Sequence, residues 1–306
     1  MKFKKIYPPC RIIIDEPGQM CNRFWSYLDS IAWAIRNNKK VYILLFDKSI
    51  VDYNNLRNNK YVSFPFYNKT IIDKIGYDKY ISIIRKIIPR NKVIAKLLYL
   101  NKRLNLFHYG WELRYDNYYF PSCYKEIQYL FLPNKKIQRE VESLIQKYKN
   151  KTNSCIIGVH IRRGDYKTFW NGRFYYDYNE YITWMTECIN VYNNKNVYFY
   201  ISSNENIPIE LFDKFNLINT TNQSAAFDLY ALSLCDRIIG PISTFSRWAS
   251  FIGNVPLCFL FKKTKIKSDD VFSPIKDYSH YSNGKEIISL VNLYWRAKAF
   301  GISVRL

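Results

Sequence analysis

An α/β protein of two doubly wound, Rossmann-like domains is the fold the sequence predicts, and length, one early βαβ pattern and a regular second half predict it. The chain has 306 residues, room for about two domains of ~150 residues each. The β-branched run Arg11–Asp15, the turn Glu16-Pro17-Gly18, a helical period over Met20–Asn38 and the apolar run Lys40–Phe46 read as a βαβ unit. From Cys155 onward, short apolar strands and helical periods alternate, the pattern of a parallel sheet that binds ligands at the carboxyl ends of its strands.

In the first helix Phe24, Leu28, Ile31, Ala32 and Ile35 share one face. Residues 47–129 are irregular and rich in Asn and Tyr. Within them a basic section, Lys79–Phe107, interleaves Ile83, Ile84, Ile87, Ile94, Leu97 and Leu98 with Lys and Arg, without an acidic residue, and Pro89 interrupts it. Such a stripe either packs on its own domain or lies on an anionic membrane surface. A helix over Lys135–Lys149 leads out of the first half. The expected second half is strand Cys155–Ile161, helix Tyr178–Tyr192, strands Val197–Ser202 and Leu217–Thr220, helix Ser224–Leu234, strand Arg237–Ile239, helix Thr244–Ile252 and strand Leu257–Phe261. The expected domains are 1–152 and 153–284, with a C-terminal helix in 285–306 (Lys285–Phe300) packing back on the first domain.

Hydrophobic residues at 48% and charged residues at 23% exclude a disordered chain, and 10 glycines exclude collagen. The net charge of +21 points to an anionic partner: nucleic acid, an acidic membrane surface or a phosphorylated substrate. No apolar run approaches the ~18 residues of a membrane span, and Pro8, Pro9 and Arg11 break any signal-peptide core. The expected location is the cytoplasm, with peripheral contact at the inner face of the membrane through Lys79–Phe107. Seven cysteines without a Cys-x-x-Cys pair read as reduced, mostly buried thiols. Phosphate-loop, dinucleotide and zinc-protease motifs are absent, and three separated histidines make a poor metal site, so no metal or other cofactor is expected.

Four segments carry candidate chemistry. Gly158-Val159-His160-Ile161-Arg162-Arg163-Gly164-Asp165-Tyr166 runs off the end of an apolar strand. Alternation sends Arg162 and Arg163 to opposite sides, one toward a ligand and one into the loop; a guanidinium fork suits a pyrophosphate. Asp165 either fixes an arginine or acts as a base, and His160 is a hydrogen-bonding support. The bland alternative is an ion-pair cluster at the sheet edge. Second, Gly240-Pro241-Ile242-Ser243-Thr244-Phe245-Ser246-Arg247 opens a helix whose amides and hydroxyls attract phosphate, Arg247 adding charge, or simply carries Ser243 as an N-cap. Third, Asp228 in Ser224–Tyr230 either accepts from the amino edge of a guanine or favours a helix dipole. Fourth, Gln19, Asn22 and Arg23 face the same crevice from the first domain, or form a plain helix-start turn.

Read together, these segments resemble the bacterial α-1,2-fucosyltransferase family, which is related to the blood-group H-type enzymes. His160-Ile161-Arg162-Arg163-Gly164-Asp165-Tyr166 matches its His-x-Arg-Arg-Gly-Asp-Tyr signature, and Asp228–Cys235 and Ser243-Thr244-Phe245-Ser246 resemble two later motifs. The resemblance implies a GT-B type fold and inverting, metal-independent transfer of L-fucose from GDP-fucose to a galactose-terminated glycan in cell-surface polysaccharide biosynthesis. It further implies that Arg162 holds the β-phosphate, that His160 and Asp165 complete the loop, that Asp228 reads guanine, and that Ser243, Thr244 and Ser246 contact the diphosphate. Asp165 and Asp177 are the base candidates. Departures fall at Cys21 and Arg23, which replace the Gly and Gln usually flanking Asn22, at Arg247-Trp248-Ala249, and at Ser203-Asn204-Glu205. Competing readings are an α-1,6 or other GDP-sugar transferase, a basic nucleic-acid-binding protein, for which no RNA- or DNA-binding motif is present, and a membrane-peripheral binding protein without catalysis.

Overall fold

The structure is a computed structural model that describes residues 8–87, 106–218 and 223–279. The helix expected over Lys285–Phe300 and most of the basic section lie outside them. The chain divides into two compact units, 1–137 and 138–306. The division falls within the first turn of the helix α3 (Lys135–Lys149). Val141 and Ile145 of this helix are buried, and its Glu142 accepts a 2.7 Å hydrogen bond from Tyr230 of the second unit.

The first unit holds a four-stranded parallel sheet in the order β3 (Val62–Ser63), β2 (Lys40–Ile43), β1 (Cys10–Ile13), β4 (Phe107–His108). Helix α1 (Met20–Asn37) connects β1 to β2 and buries Phe24, Trp25, Leu28, Ile31 and Trp33. It stops at Asn38, whose left-handed backbone (φ 48°) makes a C-cap. Helix α2 (Tyr77–Ile87), at the start of the basic section, buries Tyr80, Ile81 and Ile84, while Ile83 and Ile87 stay exposed. The two-residue strands β3 and β4 fall in the stretch that carries no readable period in the sequence, because two residues cannot show alternation.

The second unit holds a five-stranded sheet in the order β6 (Asn196–Ser203), β5 (Ser154–Ile161), β7 (Arg237–Gly240), β8 (Pro256–Phe259), β9 (Ser273–Pro274), parallel except for the β8–β9 pair. Helices α4 (Tyr178–Val191), α5 (Ala225–Ser233) and α6 (Thr244–Gly253) make the crossovers. The central β5 is buried over Cys155–Ile161, as expected of a strand covered on both faces. Gly158 lets α5 sit directly on it: a Cβ there would lie 2.5 Å from Leu232 Cδ2. The strand expected at Leu217–Thr220 reduces to one bridge, Leu217 with Phe199; Asn219 and Thr220 lie outside the described residues. Strand order reverses between β5 and β7, so the carboxyl ends of these two strands flank the place where open α/β sheets take ligands.

Candidate active site

The loop leaving β5 splits its two arginines as alternation predicts. Arg162 pairs with Asp165, Nε to Oδ1 at 2.9 Å and Nη2 to Oδ2 at 3.0 Å. The Asp165 side chain is 56% exposed. Arg163 turns the other way, and its fork is fully engaged: Nε donates to Glu205 (2.8 Å), Nη1 to the Tyr176 carbonyl (3.0 Å) and Nη2 to the Tyr175 hydroxyl (2.6 Å). The guanidinium lies 4.1 Å from the Tyr178 ring and 4.7 Å from that of Tyr175. Asn204 accepts from the Arg163 amide (3.2 Å) and lies so near Gly164 that a Cβ there would fall 2.5 Å from its Nδ2. Arg163 is therefore the brace of the loop, whereas Arg162 pairs with the exposed Asp165 on its other side. Asn204 and Glu205 stand out in the sequence only as departures from a motif; here they buttress the loop.

His160 is 3% exposed, and burial, with Arg162 nearby, pushes its pKa down to about 3, so the ring is neutral. Its Nδ1 has no hydrogen-bond partner among the described residues. The ring instead packs 5.1 Å from Phe245, and a Cβ on Gly240 would lie 2.9 Å from its Cβ. This packing ties β5 to β7 and to the start of α6.

Ser243 caps α6, its Oγ accepting from the Phe245 amide (3.2 Å), and the Tyr166 hydroxyl holds the turn by donating to the Ile242 carbonyl (2.5 Å). Thr244 and Phe245 are partly exposed beside the cap. Two expected donor-binding residues turn inward. Ser246 is fully buried and donates to the Ser243 carbonyl, and Arg247, 2% exposed, donates to the Tyr278 carbonyl (3.0 Å) between the rings of Tyr278 and Phe259. A cation in the first turn of a helix is disfavoured by the dipole; aromatic faces and a carbonyl compensate it here.

Asp228, on the first turn of α5, accepts from Tyr200 (2.6 Å) and Ser202 (3.0 Å), which pins that helix to the end of β6. Burial outweighs these bonds and pushes its pKa up to about 6. Asp177, one of the two base candidates, is the N-cap of α4 in a capping box with Glu180, two reciprocal 2.8 Å bonds. Its Asp-x-x-Glu spacing is a readable capping signature, and it gives Asp177 a structural task.

In the first unit, Gln19 is exposed and Asn22 half-buried, at the carboxyl side of β1. Gly18 is left-handed (φ +49°) and presses on Asn22, where a Cβ would meet Nδ2 at 2.1 Å. Arg23, expected to face the crevice with Gln19 and Asn22, is 5% exposed; it donates to the Gly18 carbonyl (3.2 Å) and lies 3.8 Å from Glu16. Glu16 also takes two bonds from Arg85 Nε and Nη2, at 3.0 and 2.8 Å. Asp15 accepts from the amides of Gly110 (2.8 Å) and Trp111 (2.9 Å), and burial raises its pKa. The roles of Asp15 and Glu16 were missed from the sequence; two acids directly after an apolar strand were the signal.

Among the described residues, no three His, Cys, Asp or Glu side chains gather as a metal site, all seven cysteines are free, and no helix is long and apolar enough to cross a membrane. An arginine–carboxylate pair beside a capped helix N-terminus, at the reversal point of a parallel sheet, can neutralise a phosphorylated leaving group.

Residues 100–277 match the family described as Glycosyl transferase family 11. Comparison with curated proteins gives no match. Among solved structures, POFUT1 in complex with GDP is similar, with a TM-score of 0.51 at 11% identity, covering 83% of this chain and 99% of the other. A mutant of Arabidopsis thaliana FUT1 in complex with GDP gives 0.50 at 13% identity, covering 92% of this chain and 78% of the other. The fucosyltransferase NodZ from Bradyrhizobium gives 0.48 at 15% identity, with 84% and 96% covered. The first two likenesses establish a shared α/β fold with parallel sheets, and the family match over more than half the sequence establishes the rest: the chain belongs to glycosyl transferase family 11 and is a glycosyltransferase.

Proposed function

We propose that the protein is a bacterial fucosyltransferase of the α-1,2 type and GT-B organisation, which moves L-fucose from GDP-fucose to a galactose-terminated glycan with inversion and without a metal. The second unit, 153–284 in its core, is the donor domain, and 1–152 serves the acceptor side. The observation that carries this reading is the Arg162–Asp165 pair at the carboxyl end of β5, across the strand-order reversal from the Ser243 cap of α6. GDP is the nucleotide held by the POFUT1 and plant FUT1 structures, and the proposal extends it to this chain.

In such a transfer the acceptor hydroxyl attacks the anomeric carbon while the bond to the β-phosphate oxygen breaks, through an oxocarbenium-like transition state. Negative charge gathers on the departing GDP. Arg162 and the start of α6, with Thr244, neutralise it, a preorganised electrostatic contribution of the kind that dominates many enzymes. Asp228 accepts from the guanine amino edge, and His160 keeps β5, β7 and Phe245 in register. Asp165 is the base, since it is exposed and stands beside the charge centre whereas Asp177 caps a helix. Ser246 and Arg247 support the turn from inside.

The test is transfer from GDP-fucose to lactose in EDTA, with the product linkage read by NMR. An α-1,2 product in EDTA supports the proposal; an α-1,6 product corrects the linkage; loss of activity in EDTA overturns the metal-free mechanism. Absence of transfer together with salt-sensitive binding of RNA would replace it with the nucleic-acid reading.

A further inference from the structure

From the sequence, the basic section that starts at Lys79 either packs on its own domain or lies on an anionic membrane surface; helix α2 divides these two roles between its faces. Inward, Tyr80, Ile81 and Ile84 are buried. Three side chains hold the helix in one orientation: Tyr77 and Tyr80 donate to the carbonyls of Phe46 and Phe66, and Arg85 pairs with Glu16 at 2.8 Å. Outward, Lys79, Ile83 and Ile87 follow one another at i, i+4 and i+8, a single line along the helix, with Ser82 and Lys86 beside it. All five are exposed, Ile83 by 43% and Ile87 by 60%. Acids are kept away from this line. Asp78 sits in the first turn, about 13 Å along the axis from Ile87, and Glu16 is already paired with Arg85. Between Lys79 and Phe107 the sequence has no acid, and residues 88–105 add Arg90, Lys92, Lys96, Lys102 and Arg103.

We infer that the outer face of α2 docks the protein on an anionic lipid bilayer. Ile83 and Ile87 enter the boundary between headgroups and acyl chains, while the flexible stems of Lys79 and Lys86 keep their ammonium groups at the anionic headgroups. Charge complementarity and size choose this occupant. A second copy of the chain would bring cationic faces together in a protein of net charge +21. An acidic protein needs more surface: the line from Lys79 to Ile87 is about 12 Å long and one helix, about 10 Å, wide, far below the ~800 Å² per side of a stable protein interface. A nucleic acid would be met by stacking aromatic rings, whereas the outer line of α2 carries isoleucine and lysine. A bilayer asks only for a few aliphatic side chains and cations on a firmly held helix, which α2 supplies. The inference stands apart from the transferase reading, because docking is measured without donor or acceptor.

The test is cosedimentation of the full chain with vesicles of phosphatidylcholine alone and of phosphatidylcholine mixed with phosphatidylglycerol. Wild type should sediment with the mixed vesicles only, and less so as salt is raised. Ile83→Ser combined with Ile87→Ser should lower the partition coefficient at least about tenfold, the scale of two half-exposed aliphatic side chains; because both side chains are exposed, circular dichroism and the urea midpoint should not move. Lys79→Gln combined with Lys86→Gln should lower it about thirtyfold, the scale of two cations at an anionic surface. The control is Lys147→Gln combined with Lys149→Gln, which removes the same charge from exposed positions on α3 and should leave partition within about twofold of wild type. Equal binding to the two vesicle types, no binding to either, or wild-type partition in the isoleucine variant overturns the inference. Equal losses in the two lysine variants overturn it as well, reducing the attraction to net charge. Binding of RNA that survives the isoleucine substitutions, in a protein that ignores vesicles, replaces the bilayer with a nucleic acid.

Discussion

At the carboxyl end of the first sheet, charged groups are consumed by their own unit: Asp15 accepts two amides from the segment after β4, Glu16 holds Arg85, and Arg23 is folded under its own turn. At the corresponding end of the second sheet the charges divide. Arg163 is spent on Glu205 and two tyrosines, whereas Arg162 and the exposed Asp165 stand beside the α6 cap. The two sheets share a topology around β1 and β5, so architecture alone does not decide which end meets the phosphates. The difference lies in what each charge is paired with. In the first unit the partners are buried backbone and side chains of the same scaffold; in the second, Arg163 is braced by Glu205 and two tyrosines while Arg162 is paired with a carboxylate that is 56% exposed.

Four substitutions can break or sharpen that contrast. Asp15→Ala strips two buried amides of their acceptor and should lower the unfolding free energy by about 2–4 kcal/mol in urea titrations, yet leave GDP affinity untouched; a GDP defect without destabilisation would make the first sheet part of the donor site. Arg163→Ala should lose about 1–3 kcal/mol, the cost of stripping a partly exposed pair with its hydrogen bonds, and should weaken GDP binding only through the loosened loop. A stable Arg163→Ala that binds no GDP would reverse the assigned roles of the two arginines.

His160 adds a pH signature. Its folded pKa, about 3, lies below the ordinary 6.5, so the unfolded chain binds the extra proton. The stability this contributes is present above pH 6.5 and is lost as pH falls toward 3; between pH 6.5 and 5 the loss should be about 2 kcal/mol. The urea midpoint of wild type should drop over that interval, and His160→Gln should flatten the drop; an unchanged acid limb would place the proton elsewhere. The smallest effect concerns Asp228. With a pKa of about 6 in the free protein, a carboxylate that accepts from guanine must be ionised to bind. GDP affinity should then fall as pH drops through 6, approaching about tenfold per unit, and Asp228→Asn should bind weakly with no such slope. A wild-type affinity flat from pH 7 to 5 would limit Asp228 to its bonds with Tyr200 and Ser202.

The sequence was most legible where periodicity runs long. The central strand at Cys155–Ile161 and the helices at Met20, Lys135, Tyr178 and Thr244 stand where their patterns place them, within a residue or two. Strands β3, β4 and β9 carry two residues each; they exist because a neighbouring strand pairs with them, which no local pattern records. Within the candidate site, alternation alone places Arg162 and Arg163 on opposite sides of the loop, as their different partners show. The inward turns of Arg23, Ser246 and Arg247 were not legible, since a polar residue near a helix start reads as exposed until its partners are known, and for Arg247 these are Phe259 and Tyr278, far along the chain. The Asp-x-x-Glu spacing at Asp177 is a readable capping signature, and the structure gives Asp177 that task.

The central claim is that Arg162, at the reversal point of the second sheet, holds the diphosphate of the donor. It is tested most directly by calorimetric titration of GDP and UDP, in EDTA, into wild type and Arg162→Ala of matched circular dichroism. The account predicts GDP-selective binding to wild type and a loss of at least about a hundredfold in the variant, the scale of a desolvated charge-assisted contact. Equal GDP affinity in the two proteins would contradict it.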